Sequence, residues 1–384
     1  MNILVVCDSG LYAQFGTSFV HAQTAAYAAL GHRVRVIVPY AIGKRDWDGK
    51  RFSGPIHRWD QDGVEVYAMR HLSLSNYGIK GFNLASALRV LPRRLDKLLE
   101  DFSPEIIHAH ALGFNTEIGA WLKNRLGVPL VATIHGGDLF SPYDAGELQK
   151  LKRYADHTDH LVCVSTLLQR RAASCNVSVP TSVILNGFRI GNASPNPNKS
   201  PLSLVQAGFL IARKKGDVTI RAFSKLCEKY PGASLDIIGS GSELERFQAL
   251  CRDLGVADSV RFHGYLSNAN TLAEMAKARF FVMPSVNEGF GIVYLEAMAS
   301  GCITVGTEGE GIADLIVSGK NGFLVPPDSP DAIVSVIEWC LEHPEEADAI
   351  AEQGRKDALD LTWEHNAEQY IELFERMLED EKKH

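Results

Sequence analysis

Short runs rich in valine and isoleucine alternate along the whole chain with longer stretches whose apolar residues recur at helical spacing. Strands that alternate with helices predict a parallel sheet covered by helices on both faces, and near-continuous hydrophobicity is typical of strands buried on both faces. The predicted strands are 3–7, 34–39, 64–69, 106–110, 130–134, 161–165 and 183–185 in the first half, and 202–207, 235–238, 260–263, 280–283 and 303–306 in the second. Helices are predicted over 19–30, 84–99 and 363–378.

The alternation is interrupted by residues 191–200, a stretch of Gly, Pro, Asn and Ser without periodicity that predicts a linker. A chain of 384 residues also has enough material for two cores. We therefore expect an α/β protein with two Rossmann-like doubly wound domains, residues 1–190 and 191–362. In such folds, ligands bind at the carboxyl ends of the strands and between domains.

The net charge of −7 is distributed unevenly along the chain. Residues 1–190 carry 21 Lys and Arg against 16 Asp and Glu, whereas residues 191–384 carry 18 against 30. A basic first half favours an anionic partner or surface, although solvated charge alone gives the same count. We expect no nucleic-acid partner.

The segment 82–101 combines recurring leucines with several arginines and lysines. Such a segment is either an amphipathic helix on an anionic membrane surface or a core-facing helix with a solvated basic face. The seven cysteines are scattered singly, which favours reduced thiols, and no apolar run approaches the ~20 residues that span a bilayer. We expect a cytoplasmic protein, with 82–101 as its candidate contact with the cytoplasmic face of a membrane.

Two glutamates eight residues apart give the clearest functional signal. Glu288 lies in a loop, and Glu296 lies in a segment so apolar that it predicts a buried helix, where a carboxylate needs a partner. Glycines let a backbone approach a ligand closely, and amides that open a helix bind anions. The residues between the loop and the helix are Gly289, Phe290, Gly291 and Ile292.

This stretch resembles the Glu-x7-Glu signature of the retaining nucleotide-sugar glycosyltransferases of the two-domain GT-B fold, glycosyltransferase family four. The resemblance implies that Glu288 contacts the hydroxyls of the donor sugar and that Glu296 holds the ribose. It also implies that the helix near 363–384 packs back on the first domain, which binds the acceptor, while 191–362 binds the donor. We expect a nucleotide-diphosphate sugar as donor, with a UDP-sugar favoured, and no metal or other cofactor.

A second motif, Gly208-Phe209-Leu210-Ile211-Ala212-Arg213-Lys214-Lys215-Gly216, follows the first predicted strand of the second half. It resembles the family's Gly-Arg-Leu-x-x-x-Lys-Gly phosphate grip, with Lys214 at the lysine position and Gly208 at the first glycine. Phe209 replaces the usual arginine and Lys215 replaces a glycine. Arg213 is a candidate substitute, because its planar fork can hold two phosphate oxygens.

Candidate residues also follow strands of the first half. His135 comes directly after a predicted strand, and the resemblance implies that it contacts the donor sugar near the reacting carbon. Asp138 is either a sugar-hydroxyl acceptor or a helix cap. For His108 and His110 we favour structural roles, with His110 the better candidate for the ligand cleft. Gly16, in the first strand–helix loop, is a candidate for close approach to the donor.

Two weaker patterns exclude other chemistry. Gly239-Ser240-Gly241 follows a predicted strand but lacks the third glycine of a dinucleotide loop, which argues against an NAD enzyme. Asp46-Trp47-Asp48 and Asp60-Gln61-Asp62 match a metal-binding pair seen in other glycosyltransferases, but both lie in polar stretches typical of loops. We therefore predict no catalytic metal.

The motifs favour a retaining glycosyltransferase that moves a sugar to an acceptor hydroxyl, with a saccharide or a lipid-linked saccharide of cell-surface polysaccharide or glycolipid synthesis as the expected acceptor. One alternative is a nucleotide-sugar epimerase or hydrolase on the same fold. Another is a binding module without catalytic activity, because fold alone does not fix function. The departures from the family pattern that keep this alternative open are Thr17, Arg189, Phe209 and Lys215.

Overall fold

The computed structural model describes residues 1–8, 19–41, 56–72, 82–137, 139, 145–189, 191, 196 and 199–383. The chain forms two compact units. Unit 1 comprises Met1–Gly187 and Trp363–His384, and unit 2 comprises Phe188–Thr362. The first crossing from one unit to the other thus follows residue 187, where the sequence led us to expect residue 190.

Unit 1 is built on an eight-stranded sheet with the order β3-β4-β2-β1-β5-β6-β7-β8. All neighbouring strands are parallel except β3 and β4. The strands are β1 Asn2–Val6, β2 Arg33–Ala41, β3 Ile56–Gln61, β4 Val64–His71, β5 Ile106–His110, β6 Leu130–Ile134, β7 His160–Cys163 and β8 Thr181–Val183. Seven correspond to predicted runs. The sequence did not predict β3, because this edge strand is polar and only partly buried.

Helices cover this sheet. Those of the first 187 residues are α1 Phe19–Ala29, α2 Phe82–Val90, α3 Leu95–Leu99, α4 Phe114–Leu126, α5 Ala145–Asp156 and α6 Thr166–Ser174. The helix predicted over 84–99 is interrupted by a 3₁₀ turn, Leu91–Arg93. Pro92 explains the interruption, since proline lacks an amide hydrogen and its ring clashes with the preceding turn.

The leucines of this broken segment face the core of unit 1. Leu91, Leu95 and Leu98 are buried, whereas Arg93 and Lys97 are exposed. These leucines therefore pack in the core and are not available for insertion into a membrane, while the basic face of the segment is solvated. None of the described helices has the length and apolarity that crossing a membrane would require.

The C-terminal helix, α13 Trp363–Glu381, belongs to unit 1. Its Asn366 accepts a hydrogen bond from Gln23 Nε2 at 2.7 Å and donates one to the carbonyl of Leu185 at 2.7 Å. The hydroxyl of Tyr370 lies 2.8 Å from Oγ1 of Thr133. Buried polar contacts of this kind fix the helix in register, because an unpaired polar group would be costly there. The helix packs on unit 1, where it contacts α1.

Unit 2 has a fully parallel six-stranded sheet with the order β11-β10-β9-β12-β13-β14. Its strands are β9 Ser203–Ala207, β10 Ser234–Ile238, β11 Val260–Gly264, β12 Phe280–Val282, β13 Ile303–Thr307 and β14 Phe323–Val325. Its helices are α7 Gly216–Lys229, α8 Leu244–Asp253, α9 Asn268–Met275, α10 Ile292–Ala299, α11 Pro330–Glu342 and α12 Pro344–Leu359. Of the strands, only β14 was not predicted. Both units are thus Rossmann-like α/β folds.

The loops after β9, β10 and β11 pack against one another through their backbones. The amide of Gly208 donates to the carbonyl of Ile238 at 3.0 Å, and the amide of Gly239 donates to the carbonyl of Gly264 at 2.8 Å. Gly239 has φ +132°, and a Cβ atom on it would lie 1.9 Å from the carbonyl oxygen of Gly208. The glycine pattern after β10 is therefore explained by close backbone packing, without a dinucleotide.

We expect Gly239→Ala to destabilise unit 2 by at least about 2 kcal/mol, because the new methyl group meets rigid backbone in a disfavoured conformation. Gly232 is the matched control: it also has a positive φ, +93°, but open space around its Cβ position. Gly232→Ala should cost about 1 kcal/mol. Urea unfolding of both variants measures the difference, and equal costs would contradict the packing argument.

Candidate active site

In unit 2, the two motifs of the sequence analysis meet in one ion-paired cluster. Arg213 and Lys214 lie in a 3₁₀ turn, Ala212–Lys214, after β9, and Glu288 lies in the loop before α10. Lys214 Nζ is 2.5 Å from Glu288 Oε2, and Arg213 Nη1 is 3.3 Å from the same oxygen. Arg213 Nη1 also donates to the carbonyl of Asn287 at 3.2 Å. The structure therefore brings together all three predicted residues.

The cluster is electrostatically suited to an additional anion. Two cations share one carboxylate, and both Lys214 and Glu288 expose only 11% of their side chains. Charge-assisted hydrogen bonds strengthen in such a partly buried environment. The surplus positive charge is what a phosphate group would require.

The Glu288 loop is held by a second carboxylate, Glu310, that the sequence analysis did not identify. The amide of Glu288 donates to Glu310 Oε2 at 2.9 Å, and the amide of Gly311 donates to the carbonyl of Glu288 at 3.3 Å. A Cβ atom on Gly311 would lie 2.0 Å from the carbonyl oxygen of Gly289. The sequence feature that could have identified Glu310 is its position just after β13, at the carboxyl edge of the sheet.

Helix α10 is buried on most faces, as predicted: Tyr294, Leu295, Ala297 and Met298 are among its buried residues. Glu296 is its one acidic residue. It is only partly exposed, and Asn268 Nδ2 donates to its Oε1 at 2.6 Å. Burial raises the pKa of the Glu296 carboxyl to about 7, although the hydrogen bond from Asn268 opposes the shift.

The helix begins in a tight turn at Gly291, whose φ is +84°. A Cβ atom there would lie 2.8 Å from the ring of Tyr294 and 3.3 Å from Glu288 Cγ, so only glycine fits. Phe290 is 1% exposed, and its side chain belongs to the core. Any contact of Phe290 with a ligand would therefore use its backbone, whereas Ile292 is partly exposed at the first helical position.

Two of the residues that depart from the family pattern, Phe209 and Lys215, have defined environments. Phe209, at the position of the usual arginine, is 71% exposed. Lys215 adopts a left-handed conformation, with φ +52°, and its Nζ lies 2.6 Å from Asp328 Oδ1. Gly208 has φ +138°, and its Cβ position is 4.0 Å from Lys214 Cε. Arg213 and Lys214 are thus the cations of this loop that face Glu288.

In unit 1, His135 follows β6 and belongs to a histidine cluster. Its Nε2 lies 3.0 Å from Nδ1 of His110, at the end of β5, and its ring centroid is 4.5 Å from that of Phe19. His108 Nε2 lies 2.8 Å from Thr133 Oγ1. Burial lowers the pKa of both His108 and His135 to about 3, and that of His110 also lies well below its usual value, chiefly through burial. All three imidazoles are neutral at pH 7.

Among the positions that the sequence analysis singled out, Gly16, Thr17, Asp46, Asp48, Asp138 and residues 192–195, 197 and 198 of the predicted linker lie outside the described residues. Asp62 lies 3.0 Å from His21 Nε2, and Asp60 lies 4.0 Å from an Arg58 nitrogen. Within the described part of the chain, no three or more His, Cys, Asp and Glu side chains are grouped so that they could hold a metal ion.

Known proteins are similar to most of this chain. A family model described as Glycosyltransferase Family 4 matches residues 16–190, and one described as Glycosyl transferases group 1 matches residues 191–357. A GDP-mannose-dependent alpha-(1-6)-phosphatidylinositol monomannoside mannosyltransferase of Mycolicibacterium smegmatis is 30% identical over 70% of this chain and 75% of its own length. The glycogen synthase of Mycobacterium tuberculosis is 28% identical over 90% of this chain and 87% of its own.

Solved structures show the same fold. The sucrose-phosphate synthase of Thermosynechococcus elongatus superimposes with a TM-score of 0.78, at 19% identity, over 99% of this chain and all of its own. Anabaena HepE in complex with UDP-glucose gives 0.75, also at 19% identity, over 98% of this chain and all of its own. The fold, the two family models and the relatives all indicate the same family. The chain is a glycosyltransferase and belongs to the group 1, family 4 glycosyltransferases.

Proposed function

We propose that this glycosyltransferase moves a sugar, with retention of configuration, from a nucleoside diphosphate sugar to an acceptor hydroxyl. The observation that carries the proposal is the convergence of Arg213 and Lys214 on Glu288. The cations would hold the diphosphate together with the amides at Gly289 and Gly291. Ionised carboxylates only accept hydrogen bonds, so Glu288 suits the sugar hydroxyls and Glu296 suits the ribose hydroxyls.

In the reaction, the bond from the anomeric carbon to the β-phosphate oxygen breaks and a bond to the acceptor oxygen forms. Arg213 and Lys214 would stabilise the charge that develops on the leaving diphosphate. For retention we favour a front-face route in which a phosphate oxygen takes the acceptor proton. His135 is neutral and poorly basic, so its proposed role is a hydrogen bond to the sugar, without proton transfer.

The relatives differ in their nucleotide-sugar donor. The Mycolicibacterium relative, at 30% identity, uses GDP-mannose, whereas Anabaena HepE was solved with UDP-glucose. We propose a UDP-sugar first and GDP-mannose second. The lipid acceptor named for the Mycolicibacterium enzyme supports a lipid-linked acceptor here, and contact of the exposed basic face of 82–101 with an anionic membrane stays a prediction for vesicle co-sedimentation.

The direct test is thermal unfolding with UDP, GDP, ADP or NAD, each with excess EDTA. A ligand that binds only the folded state raises stability by RT ln(1 + [L]/Kd), so the panel ranks affinity. We expect one nucleoside diphosphate to raise Tm with no effect of EDTA. A shift with NAD alone, or one abolished by EDTA, would contradict the proposal. Product analysis with UDP-glucose and GDP-mannose then separates transfer from epimerisation or hydrolysis.

Glu288→Gln should reduce turnover of the bound nucleotide sugar about 100-fold, because the sugar loses a charged acceptor while both cations remain. The affinity for the nucleoside diphosphate should change by less than about threefold. Release of nucleoside diphosphate measures turnover, and calorimetry measures affinity. The matched control is Glu338→Gln, which removes another partly buried glutamate paired with a lysine, Lys229 at 2.7 Å. Full turnover in Glu288→Gln would refute the role.

Glu296→Gln should have opposite effects on stability and on binding. In the folded protein the pKa of the Glu296 carboxyl is raised from 4.5 to about 7, so its ionised form destabilises the folded state. This cost grows as pH rises from 4.5 to about 7. The glutamine variant should therefore be more stable at pH 8, by about 2–3 kcal/mol, with the gain shrinking toward pH 4.5. Urea unfolding at both pH values measures this gain.

The same variant should bind the nucleoside diphosphate about tenfold more weakly at pH 8, because the ribose loses its ionised partner. In the wild type, affinity should fall as pH drops through about 7, where Glu296 becomes protonated. That pH dependence should be absent in Glu296→Gln. A variant that gains stability but keeps its full affinity would remove Glu296 from the ribose site.

A further inference from the structure

His110 is a buried side chain that contacts His135, and the proposed function gives it no role. It is fully buried at the end of β5, and its Nδ1 lies 3.0 Å from Nε2 of His135. The two imidazole planes are inclined by only 12°. Because the lone pair and the N–H bond of an imidazole lie in its ring plane, this small angle favours a well-aligned hydrogen bond.

Because both rings are neutral, the contact between them restricts the tautomer of each. A neutral imidazole has one N–H donor and one acceptor nitrogen, so one of the two rings must donate in the contact and the other must accept. The contact therefore couples the tautomer of His135 to that of His110.

His110 is itself held from several sides. Its carbonyl accepts a hydrogen bond from Asn115 Nδ2 at 2.6 Å, and its ring centroid lies 4.3 Å from that of His108. His108 is fixed in turn by Thr133, whose hydroxyl also meets Tyr370 of the C-terminal helix. Such a chain of buried polar contacts holds the ring of His110 in one orientation.

We propose that His110 is a positioning residue that sets the ring orientation and tautomer of His135 for its contact with the donor sugar. The inference rests on the proposed function, in which His135 contacts that sugar. A purely structural role for His110 predicts a different pattern. In that case substitution would lower stability and nucleotide affinity together, without a selective effect on the sugar.

The test uses two substitutions that differ in where they place a polar atom. In His110→Asn the amide occupies the region of Nδ1, whereas in His110→Gln it reaches the region of Nε2. We expect the asparagine variant to turn over the bound donor within about threefold of wild type. The glutamine variant should lose about 10- to 100-fold, because a misplaced His135 is a geometric error near the reacting carbon.

Each variant is measured with UDP-glucose and UDP, or with GDP-mannose and GDP if the panel selects GDP. The affinity for the nucleoside diphosphate should be unchanged, because that part of the donor is assigned to unit 2. His135→Ala and the double variant with His110→Gln complete a cycle in which the double variant should lose no more than His135→Ala alone. His160→Gln is a control, since this histidine contacts Ser182 at 2.8 Å and lies outside the cluster.

The outcomes separate the two proposals. A fully active His135→Ala would overturn the sugar contact of His135 and this inference with it. An impaired His135→Ala beside a fully active His110→Gln would overturn only the inference about His110. Independent losses that multiply in the double variant, or a parallel fall in UDP affinity, would assign His110 a structural role instead.

Discussion

The candidate site of unit 2 depends on one ion pair, between Lys214 and Glu288. These residues are 74 positions apart in the chain, and their side chains meet at 2.5 Å while both are largely buried. Removing one partner of such a pair leaves an uncompensated charge, which costs about 3–5 kcal/mol when burial is complete. Nearby features serve this contact: Glu310 holds the Glu288 loop by its amide, and Gly311 allows the loop backbones to approach.

The two units offer ligands different chemistry. Unit 2 provides cations and carboxylates, which interact strongly with phosphate and with hydroxyl donors. Unit 1 provides imidazoles that burial keeps neutral, as the low pKa of His135 indicates. A neutral ring can donate or accept a hydrogen bond without attracting a phosphate, so unit 1 offers partners for uncharged polar groups.

The sequence predicted most of the fold because parallel strands buried on both faces carry continuous apolar runs. The exceptions have physical causes. The edge strand β3 is polar, β14 has only three residues, and Pro92 divides a segment whose leucine spacing continues across it. Resemblance to the family motifs likewise made Glu288 and Lys214 candidates. It did not point to Glu310 or to the role proposed for His110, because their partners lie elsewhere in the chain and only the folded backbone brings them together.

The position of the C-terminal helix has a consequence for how the chain is assembled. Unit 2 is one continuous segment inserted into unit 1, and its two ends lie side by side, since the amide of Phe188 donates to the carbonyl of Leu361 at 3.1 Å. A ribosome therefore completes unit 2 before it has made the helix that finishes unit 1. Domains often fold in the order of their synthesis. Here the synthesis of unit 1 begins first, but its core can be completed only after unit 2 has been made.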